Sequence, residues 1–197
     1  ILVIKVGQAG DVLRTTPLLR MLKRQDPHCH ISWLVATEAR AVLENNPLVD
    51  HIYEQQLASF AELQVRSFDM VINLDVSAES GAWAVLVKAQ DKRGFELREG
   101  GDLFGFTPEA ERWLLTSFRD DLKKANRATY PEIIAKIVGV SYQKDPMVFQ
   151  LTSEDLAFGR SFSKRQGITR RDTVIGLNTG AGKRWPGNWA AATGYFL

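Results

Sequence analysis

Two short loops carry the residue types with which this chain could move a proton and hold an anion. In the stretch VGQAGDVLRTTP, residues 6–17, Asp11 follows two closely spaced glycines, Gly7 and Gly10. A carboxylate there has two readings that do not exclude each other. As a helix N-cap it accepts hydrogen bonds from free backbone N–H groups and suits the helix dipole. As a base in a cleft it takes a proton from a substrate hydroxyl. The second stretch, TGAGKRWP, residues 179–186, brings together the hydroxyl of Thr179, glycine-exposed N–H groups and the cations Lys183 and Arg184. That set suits a phosphate. The plain alternative is a surface turn with a buried tryptophan.

Several familiar chemistries are missing. The order G-x-x-x-x-G-K-[ST] is absent, so the second loop is not a P-loop. The first lacks G-x-G-x-x-G, and no clear acidic ribose partner ends the second strand. There is no G-x-S-x-G elbow. His28, His30 and His51 form no metal-ligand spacing with Cys29, the single cysteine, so no metal is expected.

The elements that must place these loops follow from periodicity. The apolar run of residues 1–4, a tight turn and an apolar-periodic segment read as strand, loop and helix. Asp11 then falls in the first turn or at the N-cap, just beyond the carboxyl end of the first strand. Open α/β sheets bind ligands at that edge. Residues 12–24 read as a helix that Pro17 ends, bends or restarts near Thr15 and Thr16. Residues 31–35, 51–53 and 68–74 read as strands, the last buried on both faces. Asp75 closes it. Residues 37–45 (capped by Thr37), 60–66 and 77–89 read as helices, residues 92–95 as an edge strand or turn, and residues 96–106 as a loop. Strand and helix alternate, so the expected fold is α/β, a Rossmann-like, doubly wound parallel sheet.

Further on, residues 110–118 and 131–138 read as helices and 147–151 as a strand. A helix starts at Ser153, residues 167–172 resemble a linker, and a buried strand at 174–177 leads into the second loop. Strand, glycine-rich loop and helix therefore occur twice. The expected division is an amino-terminal domain at 1–160, a linker at 161–172 and, at 173–197, the first βα unit of a second domain. Starting at Ile1 and stopping within an apparent helix, the chain reads as a piece of a longer protein.

A formal net charge of +2 provides no general attraction to nucleic acid, so none is expected as a partner. The basic clusters at 20–24, 88–98 and 164–171 read first as solvated faces; the first of them could also meet anionic lipid. One cysteine excludes an intrachain disulfide and fits a reduced compartment. No apolar run approaches a membrane span, and no cleavable leader is visible. Trp83, Trp113, Trp185 and Trp189 read as core.

The stretches VIKVGQAGDVLRTTPLLRMLK, FDMVINLDVSAESGAWAVLVKAQDKRGF and VIGLNTGAGKRWPGNWAA, in this order, resemble glycosyltransferase family nine, the bacterial lipopolysaccharide heptosyltransferases. The resemblance implies a GT-B architecture, two Rossmann-like domains across a cleft, with the second truncated here. The amino domain would hold the acceptor and the carboxyl domain most of the nucleotide-sugar. The implied reaction moves heptose from ADP-heptose to Kdo or heptose of the inner core, with inversion and without metal or other cofactor. Its implied place is the cytoplasm, including peripheral contact with the cytoplasmic face of the inner membrane.

By the same resemblance Asp11 would be the general base, and Thr179 and Lys183 would contact the donor phosphates. Lys183 and Arg184 would offset charge on the departing pyrophosphate. Gly10, Arg14, Lys92, Arg93 and Arg98 would meet the anionic acceptor, arginine being suited to carboxylates and phosphates by its forked geometry. The sequence departs from the family in places. Arg14 stands where some members have histidine, Thr179 is single where some have two threonines, and the donor-sugar and adenine contacts lie beyond Leu197. The 197-residue chain alone is therefore expected to be inactive. A transferase using another nucleotide-sugar or acceptor, and a non-catalytic glycan-binding relative, are the competing readings.

Overall fold

The computed structural model describes residues 1–176. The chain divides into two compact units, the first being Ile1–Thr152 and the second starting at Ser153. The first unit is built on a six-stranded sheet in the order β3-β2-β1-β4-β5-β6. Its strands are β1 (Leu2–Ile4), β2 (Ser32–Val35), β3 (His51–Glu54), β4 (Ser67–Asn73), β5 (Lys88–Leu97) and β6 (Leu103–Gly105). The first five are parallel, and β6 runs antiparallel to β5. The central strand β1 is buried on both faces because its three side chains alternate between two cores: Val3 enters one, Leu2 and Ile4 the other.

On the Val3 face pack α1 (Ala9–Leu13), α2 (Pro17–Gln25), a 3₁₀ helix (Thr37–Val42), α5 (Pro108–Phe118) and α7 (Tyr130–Val138). On the other face lie α3 (Leu57–Val65) and α4 (Ala78–Leu86). A short exposed helix, α6 (Asp120–Ala125), joins α5 to α7. After β1 the chain proceeds to β2 on one side and later to β4 on the other. The order of strands therefore reverses at β1, and the crevice beyond the carboxyl ends of β1 and β4 is the topological switch point.

Pro17 acts as the sequence reading expects. It takes the first position of α2, where its missing N–H costs nothing, and α1 stops at Leu13. Other segments differ. Residues 37–42 form a 3₁₀ helix capped by the backbone of Ala36, so Thr37 is not the cap. Only Val71–Asn73 of β4 is fully buried, because the start of that strand protrudes at the amino edge of the sheet. β5 is a ten-residue strand that pairs with β4 over residues 88–94 and with β6 only over 95–97, so the edge reading of the segment that begins at residue 92 fits its first residues, and 96–106 is a β5–β6 hairpin where the sequence reads as a loop. The segment 147–151 is not a strand. Instead it is tied by side chains: the Val148 N–H donates to Thr16 Oγ1 at 2.8 Å, and Asn46 Nδ2 donates to the Val148 carbonyl at 3.3 Å.

In the second unit, α8 (Ser153–Arg165) has Glu154 and Asp155 in its first turn and Lys164 and Arg165 in its last, as the helix dipole favours. Residues 173–176 form no regular element, and Val174 and Ile175 are exposed, where a buried strand is read. No strand pairs with this segment among the described residues.

Candidate active site

Asp11 lies in the first turn of α1, just past the carboxyl end of β1. The turn closes by backbone: Asp11 and Val12 N–H groups both donate to the Gln8 carbonyl, at 2.8 and 3.0 Å. Gln8 is the N-cap residue, and no side chain caps the helix. The carboxylate of Asp11 is thus not spent on capping. Its Oδ1 pairs with Arg14 Nη2 at 2.8 Å, one helical turn on. Its other oxygen lies against Gly7, where an added Cβ would stand 3.3 Å from Oδ2 and 3.1 Å from the Asp11 Cβ. Glycine at position 7 is what allows the carboxylate to fold back over the loop. The Arg14 guanidinium lies over the ring of Tyr130, 4.0 Å from its centroid, within cation–π range. Gly10, Asp11, Arg14 and Tyr130 form one partly exposed group.

At the carboxyl ends of β1 and β4 the sheet carries a polar clamp. Lys5 Nζ pairs with Asp75 Oδ1 at 3.5 Å and donates to the Leu74 carbonyl at 3.0 Å. Asp75 Oδ2 accepts the Val6 N–H at 2.9 Å. Asn73 continues the clamp, donating to the Phe95 carbonyl at 2.8 Å and accepting the Asp75 N–H at 3.0 Å. Nothing in the local sequence signals that Lys5 is buried or that its partner is Asp75.

The cations of β5 are placed differently. Lys92 and Arg93 are consecutive on a strand and point to opposite faces. Lys92 Nζ donates to the Val85 carbonyl near the end of α4 at 2.5 Å, and burial lowers its pKa. Arg93 makes a forked contact with Asp91, at 2.8–3.0 Å, and these hydrogen bonds raise its pKa. Arg98 pairs with Glu96 at 3.0 Å and stacks on Phe104 at 3.8 Å. In the cluster at 20–24, Lys23 donates to the Cys29 carbonyl at 2.6 Å and Arg24 pairs with Asp145, leaving Arg20 exposed. Thr179, Lys183 and Arg184 lie outside the described residues. Sequence reasoning missed Tyr130, which reaches Arg14 only through the packing of α7 on the same face as α1 and α2.

A separate concavity of about 390 Å³ opens at the amino edge of the sheet, lined by His30, Asp50, His51, Arg66 and Asp69 among others. It is on the opposite edge from the switch point. Among the described residues no three His, Cys, Asp or Glu side chains gather as a metal-ligand group, and no helix is long and apolar enough to cross a membrane.

Strand order and site position together define an α/β unit with a mostly parallel six-stranded sheet, which matches about half of a GT-B heptosyltransferase structure. By sequence the chain is similar to a heptosyltransferase over most of its own length, and in fold to a family 9 glycosyl transferase. It is 24% identical to lipooligosaccharide heptosyltransferase 2 of Haemophilus influenzae over 212 aligned positions, covering 94% of this chain and 57% of that protein. The glycosyl transferase family 9 protein of Veillonella parvula superposes with a TM-score of 0.68 at 22% identity, over 94% of this chain and 56% of that one. The E. coli heptosyltransferase WaaC with ADP superposes with a TM-score of 0.50 at 20% identity, over 74% of this chain and 49% of that one. The chain thus spans about half the length of the relatives it matches. No protein-family model matches it.

Proposed function

We propose that this chain is the acceptor-binding part of an inverting, metal-independent heptosyltransferase that moves heptose from ADP-heptose to an anionic sugar of the lipopolysaccharide inner core. The observation that carries the reading is Asp11: a carboxylate free of any capping duty, at the switch point of a doubly wound sheet, half open to solvent. Homology to heptosyltransferases supports the reaction class, and the ADP held by the E. coli relative supports a nucleotide-sugar donor.

In this reading Asp11 takes the proton of the acceptor hydroxyl as that oxygen attacks the anomeric carbon, and Arg14 is the first cation offered to the acceptor's anion. Lys92, Arg93 and Arg98 join it only by giving up the partners they hold. Thr179, Lys183 and Arg184 contact the donor phosphates, and residues 173–197 open the nucleotide-sugar domain. The protein works in the cytoplasm, at the inner face of the membrane that carries its acceptor.

The test is transfer by the complete native protein, read by mass spectrometry, with ADP-heptose as donor and a truncated Kdo-containing core as acceptor. The expected result is a heptose-sized mass gain that Asp11→Asn slows by about 10²–10⁴-fold, the range for an acid–base group. An Asp11→Asn protein as fast as the native one removes the base. No gain with any acceptor moves the assignment to another donor or to glycan binding without transfer.

A further inference from the structure

The two oxygens of the Asp11 carboxylate are treated unequally. Oδ1 pairs with Arg14 Nη2 at 2.8 Å. Oδ2 holds no hydrogen bond among the described residues and is not buried. Beside it stands Gly7, whose missing side chain leaves room, since a Cβ there would lie 3.3 Å from Oδ2. A hydroxyl can therefore meet Oδ2 while Oδ1 keeps its cation. Among the described residues Arg14 is the one side chain that holds this carboxylate.

Arg14 is itself held from two directions. Asp11 takes one end of the guanidinium, and the Tyr130 ring lies against its face, 4.0 Å from centroid to guanidinium carbon. A guanidinium has five N–H donors in one plane, so this arrangement leaves edge donors for a second anion. At 49% and 40% side-chain exposure the Arg14–Asp11 pair contributes little by itself. The ring compensates in part, because a guanidinium already stacked loses less freedom when it meets an anion. Tyr130 is well placed to do this. It packs, partly buried, on the core of the Val3 face. It also begins α7, where Glu132 accepts the Thr129 N–H at 2.5 Å and the Thr129 hydroxyl at 2.8 Å.

We propose that Arg14 is a bridge that positions base and acceptor together. Nη2 stays on Oδ1 and keeps Oδ2 toward the acceptor. The remaining N–H groups bind an anion of the acceptor, a carboxylate close to the reacting hydroxyl. The hydroxyl proton passes to Asp11 Oδ2 and the acceptor oxygen bonds to the anomeric carbon. The bond from that carbon to the donor phosphate oxygen breaks, and its electron pair leaves with the nucleoside diphosphate. Tyr130 is a positioning residue, acting through Arg14. Acceptors are selected by the spacing of anion and hydroxyl, because one side chain touches both the anion and the base. This rests on the transfer reading above.

The experiment compares native protein with Arg14→Met, Tyr130→Leu and Tyr130→Phe, all in the complete native form. The acceptors are a sugar acid and its analogue with the carboxylate reduced to an alcohol. Arg14→Met should lower kcat about two- to fivefold on both acceptors, the scale of one exposed ion pair. It should also raise KM about tenfold on the sugar acid alone, the scale of a lost hydrogen bond to a charged group. Tyr130→Leu should move both quantities in the same directions by less, and Tyr130→Phe, which keeps the ring, should restore most of that loss. Unchanged kcat on both acceptors reduces Arg14 to an anion anchor and overturns the bridge. A KM that rises equally on both removes recognition of the anion and overturns it too. The Arg14 guanidinium proton resonances provide a readout that needs no turnover. Asp11→Asn should displace them, and saturating sugar acid should shift them in both proteins while the displacement persists. A displacement that vanishes means that the acid has broken the Arg14–Asp11 pair, and resonances that the acid leaves unmoved mean that Arg14 does not meet it. Either overturns the bridge, whether or not heptose is transferred. Absent transfer with shift and displacement intact overturns only the reaction assigned above.

Discussion

The β1–α1 loop and strand β5 both bring charged groups toward the carboxyl edge of one sheet, yet they treat those groups in opposite ways. In the loop, Asp11 and Arg14 hold each other near the surface, and both stay within reach of a ligand. In and just after β5 three cations have partners supplied by their own surroundings: Lys92 the Val85 carbonyl, Arg93 the Asp91 carboxylate, Arg98 the Glu96 carboxylate and the Phe104 ring. Charge in a sequence therefore says little about availability. What matters is whether the fold has already matched it. A strand presents alternate residues to opposite faces, so adjacent cations meet different partners and cannot serve one ligand together without rearranging.

The comparison makes ordered predictions. The largest effect should come from the loop. Asp11→Asn loses the rate stated above yet unfolds at nearly the same denaturant concentration as the native protein, because its pair is half exposed. A large loss of stability would make Asp11 a structural residue and erase the contrast. Next comes the backbone of β5. Gly94 has φ +85°, and a Cβ there would stand 1.7 Å from the Asn73 carbonyl oxygen. Gly94→Ala should cost at least about 2 kcal/mol in urea unfolding, by strain and by pushing β4 from β5. A variant as stable as native would mean that this register is soft.

The smallest effect concerns Lys92. Burial lowers its pKa from the ordinary 10.5, so the unfolded chain binds more protons than the folded one between the folded value and 10.5. Stability contributed at this site therefore rises as pH increases through that window. Lys92→Met should remove that rise while leaving KM for the acceptor within about twofold, the sense of an internally matched surface cation. Thermal melts across alkaline pH and acceptor saturation curves check the two halves. A KM shift well beyond twofold would put β5 at the acceptor and break the comparison.

Much of the fold is legible in local pattern. The run at residues 2–4, the glycine-bearing loop and Pro17 together define β1, α1 and α2, because apolar periodicity and the missing proline N–H act over a few residues. The position of Asp11 at a carboxyl strand end follows from the same pattern, and the i,i+3 spacing of Asp11 and Arg14 is that of a helical pair. The β5–β6 hairpin was not legible. Its sequence, KAQDKRGFEL, is rich in charge where a ten-residue strand is expected to be more apolar, and α4 and Asp91 take up the charge of Lys92 and Arg93.

By itself the sequence determined the alternation of strand and helix, the loop that carries Asp11 and the resemblance of that loop to those of a transferase family. Each depends on neighbours in the chain. The tertiary structure alone decided which charges are spent and which remain. It buried Lys5 against Asp75, tied Thr16 to the backbone of Val148, turned Lys92 and Arg93 to opposite layers and set the Tyr130 ring under Arg14. The pairings of Lys5, Thr16 and Arg14 join residues far apart in sequence, and they exist only once the sheet and its two layers have formed.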